Sequence, residues 1–577
     1  MVKKINGVLI FDKDKFLKFI DNKKFLPNSF TAFKNKIGLA NEQRKYLAQS
    51  KEIVLVWPYK DCILEGGQQK PEEKRKEIFH NVILAPDEID RLLEPKAFTN
   101  FKRVNNSGEH QINGFQREEQ TNRARSLPIN TITENLLIKG NNLLVLHSLL
   151  NIFRGKVKLI YIDPPYNTGT DEFQYNDNFK HSTWLTFMKN RLEPAKQFLK
   201  EDGVIAISCD DNEQAYLKIL ADEIFGRDNF VATLVRKARK GGGSMSKHVS
   251  VDHDYVLIFA KNKSALPEVF IPYSENYLKR YKNKDNKGRF FWDTFVRNRQ
   301  GSSNFYEIEM PDGTKIKDAW IWPKEKFLYA KKEGEIRFKK NKDGSWSIQV
   351  KQRLNEKGQR LRSILEDCPN QKGTETIKNI FGKAVFAYPK PENLIKILLD
   401  AFTEKKDIFM DFFVGSGTSI AAAHKMGRQY IGIEQMDYIK TITIERMKKV
   451  IKGDPEGISK EVDWEGGNDL IYMELLDLNE SFVQRIKEEK TTKGLLTIWE
   501  EMKQKGFLSY RIDTKLFEKN IEGFKKLSIE DQKKILLEAI EYNDLYVNYS
   551  EIEDAFYNIS SLDKKLNRDF YEGNQDA

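Results

Sequence analysis

The stretch KVKLIYIDPPYNTG, Lys156 to Gly169, begins as an apolar run and stops on an aspartate, two prolines and an aromatic ring. A short run without polar alternation reads as a strand buried on both faces, the kind found in parallel α/β sheets. Asp-Pro-Pro taken alone is common turn punctuation. A carboxylate and a ring at the carboxyl end of such a strand also stand where open α/β sheets bind ligands. The neighbouring sequence has to separate these readings.

Upstream, NLLIKGNN (135–142) predicts a short strand and LLVLHSLLNIF a helix. Downstream, STWLTFMKNRLEPAKQFLKEDG predicts a helix ending at Gly203, VIAISCDD a third strand, EQAYLKILADEIF a helix and YVLIFAK a fourth strand. The alternation predicts a doubly wound α/β sheet. It breaks over 262–388, then resumes with PENLIKILLDAFT, IFMDFFVGSGTS, IAAAHKMG and QYIGIE. Two separated α/β blocks imply one sheet assembled from distant segments.

The expected organisation is therefore a mostly helical N-terminal domain (1–105), a first α/β block (106–261), an inserted domain (262–388), a second block (389–462) and a charged helical C-terminal region (463–577). Within the first of these, IVLVWPY predicts a strand and Pro86 opens a helix. The polar, aperiodic run from Arg103 to Asn130 predicts a linker or surface loop.

With 577 residues the chain is too long for a single core. No apolar run reaches the ~18 residues of a membrane span, and Asp12 and Lys13 interrupt any signal-peptide core. Cys62, Cys209 and Cys368 are scattered, with no metal or redox spacing. These features predict a cytoplasmic protein without disulfides, membrane or metal. The net charge is +11, from 96 Lys+Arg and 85 Asp+Glu. Residues 262–388 alone carry 27 Lys/Arg against 16 Asp/Glu, also +11. A basic, aromatic-rich domain in an otherwise balanced chain points to nucleic acid.

MDFFVGSGTSIAAAHKMGRQYIGIE supplies a second constellation. A strand ends at Asp411, a Gly415-Ser416-Gly417 turn follows, a small-residue helix begins, and Glu434 closes the next strand. Glycines let backbone approach a ligand, and the acid can accept hydrogen bonds from ribose hydroxyls. Ile420 stands where a dinucleotide fingerprint needs its third glycine. A nucleoside cofactor without a cradled diphosphate fits this pattern.

Asp163-Pro164-Pro165-Tyr166 together with Asp411-x-Phe413-x-Gly415-Ser416-Gly417-Thr418 resembles the amino-group DNA methyltransferases that use S-adenosylmethionine. The order, with a basic insertion and then Lys390-Pro391-Glu392-Asn393-Leu394 before the glycine turn, is similar to the circularly permuted β arrangement of that family. WPYKDCILEGGQQKPEEKRKEIFHNVILAPDEIDRLLEPKAFTNFKR and LLIKGNNLLVLHSL resemble the modification subunit of Type III restriction–modification systems. The resemblance implies a Rossmann-like methyltransferase sheet, with 262–388 as target-recognition domain. It implies that Asp163, Pro164, Pro165 and Tyr166 form the target-base site. It also implies that Asp411, Phe413, Gly415, Ser416, Gly417 and Thr418 line the cofactor, with Glu434 on its ribose. Asn141 would lie near the cofactor adenine, and Lys390 and Pro391 around its methionine end. The implied partners are double-stranded DNA and a helicase–nuclease subunit; the charged C-terminal helices are either the interface of a homodimer or a solvated cap.

The chemistry asks for these residue types. An exocyclic amine on adenine is a weak nucleophile because its lone pair is delocalised into the ring. Two fixed acceptors on its N–H groups restore that lone pair and stabilise the charge that develops. Asp163 and the Pro164 carbonyl are two such acceptors, stiffened by consecutive prolines, and Tyr166 offers a stacking face. The amine lies inside the duplex, so its nucleotide must be rotated out. Aspartate at the first position favours adenine N6 over cytosine N4. A solitary marking enzyme, a cytosine-N4 enzyme and a DNA-recognition scaffold for a nuclease remain as alternatives. RKARKGGGSMSKH, Arg236 to His248, is either a DNA-contacting loop with glycine hinges or an ordinary basic loop.

Overall fold

The computed structural model describes residues 86–573 apart from 169–180, 242–247, 297–303, 478, 506–507, 509–513 and 541–545, together with short strands before residue 86. The chain divides into two compact units, Met1–Pro267 with Arg362–Ala577, and Glu268–Leu361.

The first unit is built on one eleven-stranded sheet. Its strands, in chain order, are β1 (Phe98–Asn105), β2 (Gly108–Gln111), β3 (Leu136–Lys139), β4 (Val157–Ile162), β5 (Leu199–Cys209), β6 (Phe230–Lys237), β7 (His253–Ala260), β8 (Ile364–Leu365), β9 (Ile408–Asp411), β10 (Gln429–Glu434) and β11 (Leu470–Leu475). Across the sheet they run β8-β6-β7-β5-β4-β9-β10-β3-β11-β1-β2. The centre, β5 to β11, is parallel. β7, β6, β1 and β2 make antiparallel pairs toward the edges. β9 and β10, from beyond the insertion, are seated between β4 and β3. The expected single sheet of distant segments is the one observed. Every residue of β4, β9 and β10 is buried, as strands covered by helices on both faces must be.

Helices α1 (Asn142–Phe153), α2 (His181–Phe198), α3 (Gln214–Phe225), α4 (Glu392–Phe402), α5 (Thr418–Lys425), α6 (Ile444–Ile451) and α7 (Ser561–Glu572) accompany the sheet. Trp184, Phe187, Met188 and Leu192 of α2 are fully buried in its core. α2 stops at Phe198, before the expected Gly203, because β5 begins at once and runs through that glycine. A Cβ on Gly203 would lie 2.9 Å from Lys200 backbone atoms.

Most of the expected helical domain 1–105 lies outside the described residues, which there form strands and the helix Pro86–Leu93. Three expected boundaries need correction. The polar run after Arg103 is no simple linker: Lys102–Asn105 pair with Gly108–Gln111 in an edge hairpin. No residue of the edge strand Gly108–Gln111 is buried, so its sequence looks like loop. The region after 462 contributes β11 to the sheet, and Asn567 of α7 bonds both backbone groups of Phe98. Finally, the inserted unit is Glu268–Leu361, shorter than 262–388. β8 pairs with β6 from the far side of the insertion and so belongs to the sheet.

The inserted unit has its own four-stranded antiparallel sheet, in the order Asn283–Asp285, Gly288–Thr294, Trp346–Arg353, Ile336–Lys340. Phe295, Trp320, Phe327, Ile348 and Val350 form its core. It carries 22 Lys/Arg and 13 Asp/Glu, a net +9 of the chain's +11. The basic excess is thus a property of this unit. Among the described residues no helix is long and apolar enough to cross a membrane.

Candidate active site

β4 and β9 are hydrogen-bonded neighbours, with Ile160 opposite Met410. Their carboxyl ends, Asp163 and Asp411, therefore open side by side, and Glu434 ends the next strand. A cavity of about 520 Å³ joins them. Asp163, Pro164, Pro165, Tyr166, Lys390, Asp411, Phe413, Gly415, Ser416, Thr418 and Glu434 all line it. Two motifs more than 240 residues apart in sequence share one chamber.

The first wall is the Asp-Pro-Pro-Tyr turn. Trp184 Nε1 donates to the Pro165 carbonyl at 2.8 Å and pins the turn to α2. Asn167, in the left-handed region at φ 59°, donates to Glu213 Oε1 at 2.6 Å. Tyr166 directs its hydroxyl to Asp254 Oδ2 at 3.4 Å. Asp254 is itself held by the buried Arg236, whose Nε donates to Oδ1 at 2.7 Å. Arg236 also donates to the Cys368 carbonyl at 2.6 Å. Burial, Asp163 and Asp254 push the Tyr166 phenol well above 10, so its ring is neutral. Lys390 pairs with Asp163 at 2.8 Å.

The second wall is the glycine turn. Gly415 and Gly417 have φ of 55° and 83°, which a side chain disfavours. A Cβ on Gly415 would come 3.4 Å from Phe386 Cζ, and one on Gly417 3.2 Å from Thr443 Cγ2. Asp411 accepts from the Phe413 N–H at 2.8 Å and from the Ser419 hydroxyl, which locks the turn's entrance. Its carboxyl is pushed up to about 8 by burial. Glu434 accepts the N–H groups of Gly415 (2.8 Å) and Met436 (2.9 Å). Burial raises its pKa as well, against those bonds.

Beneath the turn lies an ionic network absent from the sequence reading. Arg446 donates to Thr418 Oγ1 (2.8 Å) and the Ser416 carbonyl (3.2 Å), and to Glu392 Oε1 (2.7 Å). Lys425 meets Glu392 Oε2 at 3.0 Å, and the Ile458 N–H donates there at 3.0 Å. Although desolvation opposes it, these cations hold the Glu392 carboxyl below its ordinary value. Such a charge is tolerable in a core only because it is paired and hydrogen-bonded.

Three expected residues fall elsewhere. Asn141 does not line the cavity: its side chain accepts the Leu143 N–H at 3.0 Å and caps α1. Asn at a helix start is a strong cap. Gly417 and Pro391 are not among the lining residues; the one caps α5, the other α4. Phe386, Tyr388, Tyr438, Asp210 and Asp254 line the cavity and were not anticipated. FAYPK just before α4 and CDD at the end of β5 were available signals, since carboxyl ends of strands are where such sheets bind. Of the basic loop, 242–247 lie outside the described residues. Among the described residues no cluster of His, Cys, Asp and Glu has the form of a metal site.

Known proteins match this arrangement. The profile of a family described as DNA methylase matches residues 157–445, and that of a Type III restriction/modification enzyme methylation subunit matches residues 1–39. The probable type III restriction-modification enzyme HindVI Mod subunit of Haemophilus influenzae is 35% identical over 98% of this chain and 91% of its own. The chain belongs to the Type III Mod subunit family. Its sheet is accordingly the circularly permuted methyltransferase fold, carrying an inserted domain. The Type III Mod subunits StyLTI of Salmonella typhimurium and EcoPI of Escherichia phage P1 are 32% and 31% identical. These two align with 53% and 51% of this chain, and with 52% and 55% of their own lengths.

Proposed function

We propose that this Mod-family protein transfers a methyl group from S-adenosylmethionine to adenine N6 in double-stranded DNA, with Asp163, Pro164 and Tyr166 as the base site. One observation carries the reading: the Asp-Pro-Pro-Tyr turn and the glycine turn line a single cavity.

The residues present suit the cofactor. Gly415, without a Cβ, borders the chamber beside Phe386. Glu434, held by backbone N–H groups and by the Tyr438 hydroxyl, is the acid assigned to the ribose hydroxyls. Phe386, Phe413 and Tyr438 supply apolar surface for a purine. When bound, the sulfonium supplies an already activated methyl group. Asp163 accepts one N–H of the target amine and the Pro164 carbonyl the other, raising lone-pair density on nitrogen. The Trp184 bond and the prolines fix both acceptors before reaction, so reorganisation costs little. Tyr166 stacks on the extruded base, its tilt set by Asp254 and Arg236. The chain's remaining task is alignment of nitrogen with the methyl group.

The inserted unit is the proposed DNA-reading element. The strand register sets Trp292 opposite Lys351 and Arg337 opposite Gln349 on one sheet face. Arg337 lies 4.5 Å over the Trp292 ring. Cations interleaved with aromatics suit a phosphate backbone and bases. We place the protein in the cytoplasm, as a homodimer that docks a helicase–nuclease subunit.

Sequencing of modified bases in DNA from cells with and without this protein tests the reading and maps the site. Methylated adenine at one recurring sequence is expected. Its absence, or methylated cytosine instead, overturns it.

A further inference from the structure

Lys390 occupies an unusual place for a residue expected to hold the cofactor. Its Nζ lies 2.8 Å from both Asp163 oxygens and 4.6 Å from the centroid of the Tyr166 ring. Those are the two features assigned to the target base, the acceptor for its amine and the face for its ring. The ammonium copies both interactions: it donates N–H to the carboxylate and sits over the aromatic face. A base stacked on Tyr166 with its amine on Asp163 needs the same space. A cation left there would also oppose the positive charge growing on the amine nitrogen. Lys390 must leave before methyl transfer.

The backbone at this point is held. Pro389 and Pro391 flank Lys390, and Pro391 caps α4. A Cβ on Gly373, in the helix Asn370–Phe381, would fall 2.1 Å from the Pro389 carbonyl oxygen and 2.8 Å from that of Lys390. This leaves the four-carbon stem of Lys390 as the moving part.

We propose that Lys390 is a specificity residue, an internal stand-in for the target amine that reserves the base site until the donor is bound. The inference rests on the function proposed above. The carboxylate at the methionine end of the cofactor is the anion that draws the ammonium off Asp163. Base capture thereby becomes coupled to cofactor binding, and by linkage the coupling is reciprocal.

The test uses the full-length protein and a duplex carrying its mapped site, with 2-aminopurine in place of the target adenine. Fluorescence reports extrusion into the site. In the wild type, sinefungin, a non-reactive donor analogue that keeps the carboxylate, should raise the signal about 5-fold or more. 5′-Methylthioadenosine, which lacks the carboxylate, should not. Lys390→Met and Lys390→Gln should give the raised signal with either compound and with none. Lys390→Arg should keep the wild-type dependence, and thermal melting checks that each variant folds. Equal wild-type signal with and without sinefungin overturns the proposal, as does an unchanged cofactor-free signal in both Lys390→Met and Lys390→Gln. Failure of the wild type to methylate adenine would instead strike the function itself.

Discussion

The cavity has two ends built from the same parts, a parallel strand finishing on an aspartate, yet they are finished differently. At the end of β4, Asp163 keeps about a quarter of its side chain exposed and meets one partner, the long side chain of Lys390. At the end of β9, Asp411 is 1% exposed and closed in by a backbone N–H and the Ser419 hydroxyl. Below it, Glu392 pairs with Lys425 and Arg446 in a second buried network. An ion pair that a ligand can exchange suits a substrate; polar groups satisfied from within suit a scaffold that must hold its shape for a cofactor. The two ends are therefore separable: changes at the glycine turn should cost stability, and changes at the Pro-Pro turn should cost activity.

The largest expected effect tests the scaffold end. Glu392→Ala removes the carboxylate shared by two buried cations, Lys425 and Arg446, and should lower unfolding free energy by about 3–5 kcal/mol, measured by urea denaturation. A loss under 1 kcal/mol would mean the network is dispensable. Next, Asp163→Ala should lower kcat for methyl transfer about 10²–10³-fold, with duplex affinity and melting temperature nearly unchanged. A large fall in melting temperature would erase the distinction between the ends.

A smaller effect is expected at the stacking ring. Tyr166→Ala should weaken capture of the extruded base by about 1–3 kcal/mol, and Tyr166→Phe should restore most of it. Restoration by Phe separates the ring's role from that of its hydroxyl bond to Asp254. The smallest effect is a slope. The Asp411 pKa is raised to about 8 in the fold, above its value of about 3.9 in the unfolded chain. The native state then binds its proton more tightly, so this residue's contribution to stability falls as pH rises from about 4 to 8. Asp411→Asn should remove that decline in melting experiments across the range. An unchanged slope would show that Asp411 is charged in the fold.

The base-site turn and the glycine turn were legible in sequence because both are local: strand, breaker and chemistry-bearing residue stand within a few positions. The insertion was legible through charge, although its limits were not, since β8 declares itself only by pairing with β6. β2 and the end of β1 looked like loop because no residue of the edge strand β2 is buried. Nothing in the sequence around Glu392 and Arg446 marks them as buried. Their burial depends on each other across 54 positions, which no periodicity records. Asn141 also caps a helix, a local role that its position at a helix start makes legible.

Nucleoside analysis by mass spectrometry, on DNA treated with the wild-type protein and with Asp163→Ala, tests the central claim most directly. The account predicts N6-methyladenine from the wild type and none from the variant. N4-methylcytosine from the wild type, or N6-methyladenine surviving in Asp163→Ala, would contradict it.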